Sequence, residues 1–253
     1  MARRKKRARW RRRGVPRTLY KLLSALLVTG ALFFSLIWFF RVETVEVGGN
    51  VRYTDQQVVA ASGVSVGDNL YLLNKFEMRD ALFAQLPYVG EVSIYRRLPS
   101  TLVIEVREQT AAALYLSDGK GWLISSSGRL LEQTDGTEQE GIPVVTGSAL
   151  LVPKAGETMV LPEAERLRQS KLLELLQALE AQEMLAQTDS VDLQDPSTLQ
   201  IGYDGRFTVK LRWDADCEEK LKRLSYVVEQ LQRNEVGTID MTVDGTTRFI
   251  PKS

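Results

Sequence analysis

The longest hydrophobic stretch of the chain lies near its start. From Leu22 to Phe40 the sequence reads LLSALLVTGALFFSLIWFF, nineteen residues without a charge. At roughly 1.5 Å per helical residue this covers about 28 Å, close to the roughly 30 Å hydrocarbon core of a bilayer. No polar face interrupts the run, so a transmembrane helix over 22–40 is the expected element. Leu22, Leu26, Phe33, Leu36, Trp38 and Phe40 are its anchoring side chains, and Trp38 with its phenylalanine neighbours suits the far interface. A cleaved secretory signal is the competing reading, since basic residues before an apolar run also describe one. Val28-Thr29-Gly30 is a weak cleavage match, but ten more residues of the run follow it and end in bulky aromatics.

Beyond Arg41 the pattern changes to short amphipathic segments. Val42 to Val47 alternates apolar and polar positions as a half-buried strand does, and Gly48-Gly49-Asn50 ends it with turn chemistry. Thr54 and Gln57 form a capping-box pattern for a short helix that stops at Gly63. A loop through Gly67-Asp68-Asn69 follows. Asn74 and Glu77 open a second helix carrying Phe76, Leu82, Phe83 and Leu86 on its apolar side, and Pro87 ends it. Two strands follow, one with Val92 and Ile94, the other with Leu102, Ile104 and Val106 opposite Val103, Glu105 and Arg107. Leu98-Pro99-Ser100 turns between them. The expected unit is β-α-α-β-β over 41–108, a small sheet with both helices on one face.

From 109 to 253 the pattern predicts a mixed α/β domain. Ala111–Leu116, the turn Ser117-Asp118-Gly119-Lys120 and Trp122–Ile124 read as a hairpin, turning again at Ser127-Gly128 into Leu130-Leu131. A helix is expected over 162–187, with Leu167, Leu172, Leu175, Leu176, Leu179 and Leu185 on one side. Strands are expected around Val191, Leu199–Ile201 and Phe207–Leu211, then a helix over 216–232. Strands at Thr238–Val243 and Thr246–Ile250 close the domain as an antiparallel hairpin. The fold class is thus α+β, behind one N-terminal transmembrane helix.

Charge adds an orientation. The net charge is +1, but eleven of 33 basic residues fall within the first 21 positions, which hold no acid. The remainder carries 22 basic against 32 acidic residues. Residues 1–21 are expected to be an unpacked cytoplasmic arm, because positive charge beside a span stays inside. The soluble body then lies outside the membrane. A nucleic-acid hook is the other reading of such an arm, but topology and attraction to anionic lipid explain it without a second partner.

Composition also limits the chemistry. The chain has no histidine and one cysteine, Cys217. No intramolecular disulfide can form, and most transition-metal sites and general-base mechanisms are removed. Ser117-Asp118-Gly119-Lys120 matches S-x-x-K, yet the companion motifs of penicillin-recognising enzymes are missing and Asp-Gly marks a turn. Cys217 stands at an acidic helix start, where carboxylates disfavour a thiolate. No catalytic residue, cofactor or metal site is expected, and the chain reads as a non-enzyme.

Several short motifs carry a family resemblance. Val45-Glu46-Val47-Gly48-Gly49-Asn50, Gly67-Asp68-Asn69-Leu70, Leu86-Pro87-Tyr88-Val89 and Arg97-Leu98-Pro99-Ser100-Thr101-Leu102 follow the order and spacing of a POTRA domain. They resemble in particular that of the FtsQ/DivIB family of bacterial cell-division proteins. The likeness continues through Tyr115–Leu131, Pro143-Val144-Val145-Thr146-Gly147 and Ile239-Asp240-Met241. Two departures stand out. Leu211-Arg212-Trp213 replaces a Leu-Gly pair frequent in the family, and the sequence stops at Ser253 without the charged tail of some relatives.

The resemblance implies a membrane-anchored scaffold of the divisome at the septum. Its implied partners are small bitopic proteins, FtsB/DivIC-like and FtsL-like, and through them the septal peptidoglycan synthases. It also implies that the C-terminal hairpin pairs with a partner strand, placing Val243, Gly245, Thr246, Thr247, Arg248 and Phe249 at the contact. Asp240, Asp244 and Arg248 would keep such an edge from pairing with itself. The competing role for Phe249 and Ile250 is closing the core. Rival functions are a POTRA-bearing transport or envelope-assembly factor and a membrane-anchored wall enzyme.

Overall fold

The computed structural model describes residues 17–252. Most of the basic arm therefore lies outside the described residues, as do the side chains of Phe33 and Leu36. Packing divides the chain into two compact units. One comprises Met1–Glu46, Val64–Leu73 and Tyr95–Val103, the other Val47–Gly63, Asn74–Ile94 and Ile104–Ser253.

The first unit opens with helix α1, Arg17–Phe39. It starts five residues ahead of the apolar run, so Arg17–Lys21 is helical rather than part of a loose arm; Arg, Leu and Lys are all good helix formers. It stops one residue short of Phe40. Among the described residues no helix is long and apolar enough to cross a membrane. After α1 the chain is fastened to the segment 64–73. Val42 N–H donates to the Asp68 carbonyl (2.8 Å), Gly67 N–H to that of Val42 (2.8 Å), and Leu70 N–H to that of Phe40 (2.9 Å). Strands β1 (Thr44–Gly48), β2 (Val89–Arg97) and β3 (Thr101–Glu108) form a three-stranded sheet in the order β1-β3-β2.

In the second unit, α2 (Asp55–Ser62) has the expected capping box, with Thr54 and Gln57 each bonding the other's backbone N–H, and ends at Gly63 in the left-handed region (φ 72°). Helix α3 (Lys75–Gln85) is capped by Asn74, but its buried residues are Met78 and Leu82. Phe76, expected inside, is exposed in the first turn, where the Arg79 guanidinium lies 5.5 Å from its ring.

The rest of this unit is built on a nine-stranded sheet. Its strands are β4 (Ala113–Ser117), β5 (Lys120–Ile124), β6 (Leu130–Thr134), β7 (Val144–Thr146), β8 (Thr188–Asp192), β9 (Thr198–Tyr203), β10 (Phe207–Arg212), β11 (Gly237–Asp240) and β12 (Arg248–Pro251), ordered β12-β11-β10-β9-β8-β7-β4-β5-β6. Three neighbouring pairs run parallel, β4 with β7, β7 with β8, and β10 with β11. Parallel neighbours need a crossover: β5 and β6 lie between β4 and β7, α4 (Arg166–Ala181) between β7 and β8, and α5 (Cys217–Gln230) between β10 and β11. Leu172, Leu175, Leu176 and Leu179 of α4 and Leu221 and Leu224 of α5 pack with Tyr115, Val145, Ile201 and Ile239 in one core.

Two boundaries differ from expectation. Helix α4 ends at Ala181, because Glu183 turns left-handed (φ 56°) and the Met184 N–H returns to the Leu179 carbonyl. Leu167, beyond the packed stripe, is exposed. The final hairpin has strands of four residues each, since 241–247 forms the connecting loop. At the family departure, β10 stays in register, with Arg212 opposite Thr198 of β9.

Candidate partner-binding edge

β12 is an end strand of the large sheet, with β11 as its one strand neighbour. The pairing is antiparallel, with Thr238 opposite Ile250, Ile239 opposite Phe249 and Asp240 opposite Arg248. The ladder decides which backbone groups are spent and which remain. Gly237 N–H donates to the Arg206 carbonyl and Met241 N–H to that of Lys210, so the odd residues of β11 face β10. Its even residues face β12, and Lys252 N–H donating to Val236 (2.8 Å) continues that alternation. Arg248 and Ile250 are therefore turned inward to β11. Thr247, Phe249 and Pro251 direct their backbone groups away from the sheet. Pro251 has no N–H, so the outward donors are those of Thr247 and Phe249.

Side chains alternate in a different sense, across the faces of the sheet. Phe249 points to the core face, half-buried and edge-on to Phe207 with ring centroids 6.0 Å apart. Its ring therefore takes the packing role, while its backbone groups turn away from the sheet. Ile250, on the other face, is exposed and does not close the core. Beside it runs a groove of about 640 Å³ whose lining includes Thr208, Val236, Thr238 and Lys252.

The loop that presents β12 is held by two polar devices. The Asp240 carboxylate accepts from Thr242 N–H (2.9 Å) and Thr242 Oγ1 (2.7 Å). Those hydrogen bonds hold its carboxyl below the ordinary carboxylate range. The second device is Lys220 of α5, only 4% exposed, whose Nζ donates to the Met241 carbonyl (3.1 Å) and meets Asp244 (3.2 Å). Sequence reasoning passed over Lys220. Its place between Cys217, Leu221 and Leu224 on the buried side of α5 was the available signal. Of the expected contact residues, Val243, Gly245 and Thr246 lie exposed in this loop, Gly245 at φ 73° with open space around its Cα.

The other chemically suggestive residues are placed structurally. Ser117 ends a strand rather than opening a helix, and its hydroxyl accepts from Leu150 N–H (3.0 Å). Cys217 is buried, and burial, reinforced by Glu174, raises its thiol to about 12. Among the described residues, no group of three or more potential metal ligands comes together.

Residues 40–109 match the family described as POTRA domain, FtsQ-type, and residues 113–242 match Cell division protein FtsQ/DivIB, C-terminal. The second match ends at Thr242, so β12 lies past it. The chain is 27% identical over 239 residues to Cell division protein DivIB of Clostridium botulinum, covering 91% of this chain and 88% of that protein. It is 26% identical over 215 residues to Cell division protein FtsQ of Syntrophotalea carbinolica, covering 84% and 73% respectively. A solved extracytoplasmic domain of DivIB from Geobacillus stearothermophilus aligns over 50% of this chain and 97% of its own, at 17% identity and a TM-score of 0.33. With the C-terminal family match spanning half of its length and the POTRA match directly before it, the chain belongs to the FtsQ/DivIB family of cell-division proteins.

Proposed function

We propose that this protein is a single-pass scaffold of the division machinery whose β12 edge captures an extended segment of a small bitopic partner. The observation that carries the reading is the set of unspent backbone groups at Thr247, Phe249 and Pro251. A partner strand laid there would complete the ladder by β-augmentation. Its donors would meet the Phe249 and Pro251 carbonyls, and its acceptors the Phe249 and Thr247 N–H groups. Val243, Gly245, Thr246 and Arg248 border that strand. The partners in view are FtsB/DivIC-like and FtsL-like proteins, and regulation of septal wall synthesis would pass through them.

The anchor reading rests on the uncharged run Leu22–Phe40. Leu22, Leu26 and Trp38 expose their side chains from α1, an arrangement suited to lipid. Two of the hydroxyls within it turn back on the helix, Ser24 donating to the Lys21 carbonyl and Thr29 to that of Ala25, which spends those donors inside the helix rather than on an apolar medium. The basic N-terminal arm would hold that end in the cytoplasm, with the remainder outside.

Deleting the chain from Thr246 onward should abolish pull-down of the bitopic partners while the 41–108 region stays folded by circular dichroism. Undiminished capture would refute the edge. A fluorescent fusion of the full chain should form a mid-cell band, and uniform membrane signal would count against a septal role.

A further inference from the structure

The geometry points to a second membrane contact, in which the loop Val66–Leu72 and the turn at Leu98 rest in the outer headgroup region of the bilayer. It depends on the proposed anchoring of α1. All the residues concerned belong to the first unit.

This loop carries large apolar side chains that the fold leaves bare: Val66 is 74% exposed, Tyr71 53% and Leu72 73%. Leu98 is 53% exposed, in the turn that leads to Ser100. Their position is set by the end of α1. Leu70 N–H donates to the Phe40 carbonyl, Arg41 bridges Asn69, and the Phe40 and Tyr71 rings meet edge-on at 5.1 Å. Glu43 N–H donates to the Ser100 carbonyl (2.9 Å), bringing the Leu98 turn to the same end of the unit. The segments that carry these apolar groups are thus tied to Phe40–Glu43, the residues that directly follow the apolar helix.

Charge and aromatic character fit an interface. The Arg41 guanidinium lies 4.2 Å from the Trp38 ring centroid, and that of Arg96 lies 5.6 Å from Tyr71. Arg96 also donates through Nε to the Leu70 carbonyl, holding the loop in place. Aromatic rings with arginines stacked on them suit the headgroup layer, where one end of a side chain is wet and the other dry. Seating Leu72 and Tyr71 about 5–10 Å into that layer would remove their apolar surface from water. The contact would fix the tilt of this unit on the membrane, which one flexible tether could not do.

The test uses the full chain with Cys217 replaced by serine, reconstituted in vesicles of phosphatidylethanolamine and phosphatidylglycerol. Single cysteines at Leu72, Ser35 and Val152 carry an environment-sensitive fluorophore. Ser35 reports α1, and Val152, almost fully exposed, is the water reference. The Leu72 label should be quenched by headgroup-labelled lipid, and iodide should quench it at least about twofold less than the Val152 label, as expected of an interfacial side chain. Iodide quenching of Leu72 equal to that of Val152, with Ser35 quenched by chain-labelled lipid, would overturn the inference and leave the anchor intact. Failure of lipid to quench Ser35 would overturn both. Because the cysteine could disturb the loop, Leu98→Cys provides a second site with the same expected result.

Discussion

The large sheet has two edges, and they are finished in opposite ways. At the start of β6 the outer backbone is occupied: Leu130 N–H donates to the Glu157 carbonyl (2.8 Å), Gly156 N–H donates to Leu130 (2.7 Å), and Arg129 bridges Thr158. Side chains seal the same end. Arg129 donates to the Pro87 and Phe83 carbonyls (2.8 and 2.7 Å), and Glu132 accepts from the Tyr88 hydroxyl and from Arg52. Among the described residues, β12 has no comparable cover. It has the devices that discourage random pairing, a short strand, a flanking arginine and a proline. An edge that is short and charged but unsealed is suited to a chosen partner, whereas a sealed edge is suited to stability.

If the β6 edge is structural, breaking its seal should cost the most folding energy and the least binding. Arg129→Ala would leave the carbonyls of Phe83 and Pro87 without their donor. An unsatisfied buried acceptor costs about 1–3 kcal/mol, and with Arg129 half-buried we expect a total loss of about 2 kcal/mol in urea unfolding. Partner capture at β12 should be unchanged. A variant as stable as the parent would show that the seal is incidental.

Lys220 tests the opposite end. Replacing it by methionine keeps the aliphatic bulk but strips the Met241 carbonyl and Asp244 of their donor. We expect about 1 kcal/mol of destabilisation from the orphaned carbonyl and a larger proportional loss in partner capture, because the loop that presents β12 loses its tie. Equal proportional losses in binding for Lys220→Met and Arg129→Ala would erase the distinction between the edges.

How much of this was readable depends on whether the signal was local. The capping box at Thr54 and Gln57, the left-handed stop at Gly63 and the turn Ser117–Lys120 are all set by residues within four positions of one another, and all could be read from the sequence. The end of α4 could not, because Glu183 adopts a conformation ordinarily given to glycine and no Gly or Pro marks it. Nor could the length of the final loop. Val243 and Thr246 alternate as strand residues do, but Asp240 takes the N–H of Thr242, and Lys220, twenty-one residues before Met241, takes the carbonyl of Met241. Phe249 was legible as an aromatic on a strand but not as one turned to Phe207, since that depends on which face β11 offers to the core. The seal at β6 was invisible for the same reason: Arg129 reaches carbonyls more than forty residues away.

The smallest expected effect is the most specific to the open edge. Asp240 is held below its ordinary value of 3.8, chiefly by the hydrogen bonds from Thr242. The native state therefore takes up this proton less readily than the unfolded chain. Its stabilisation is present above the unfolded value and is lost as pH falls through the lower folded one. Asp240→Asn should weaken the protein by less than about 1 kcal/mol, since the half-buried carboxylate is still partly screened by solvent. The difference from the parent should stay constant from about pH 5 upward and shrink below about pH 4, as linkage requires. A difference of the same size at every pH would mean that Asp240 shapes the loop by packing rather than by charge. The hold on β12 would then rest on Lys220 alone.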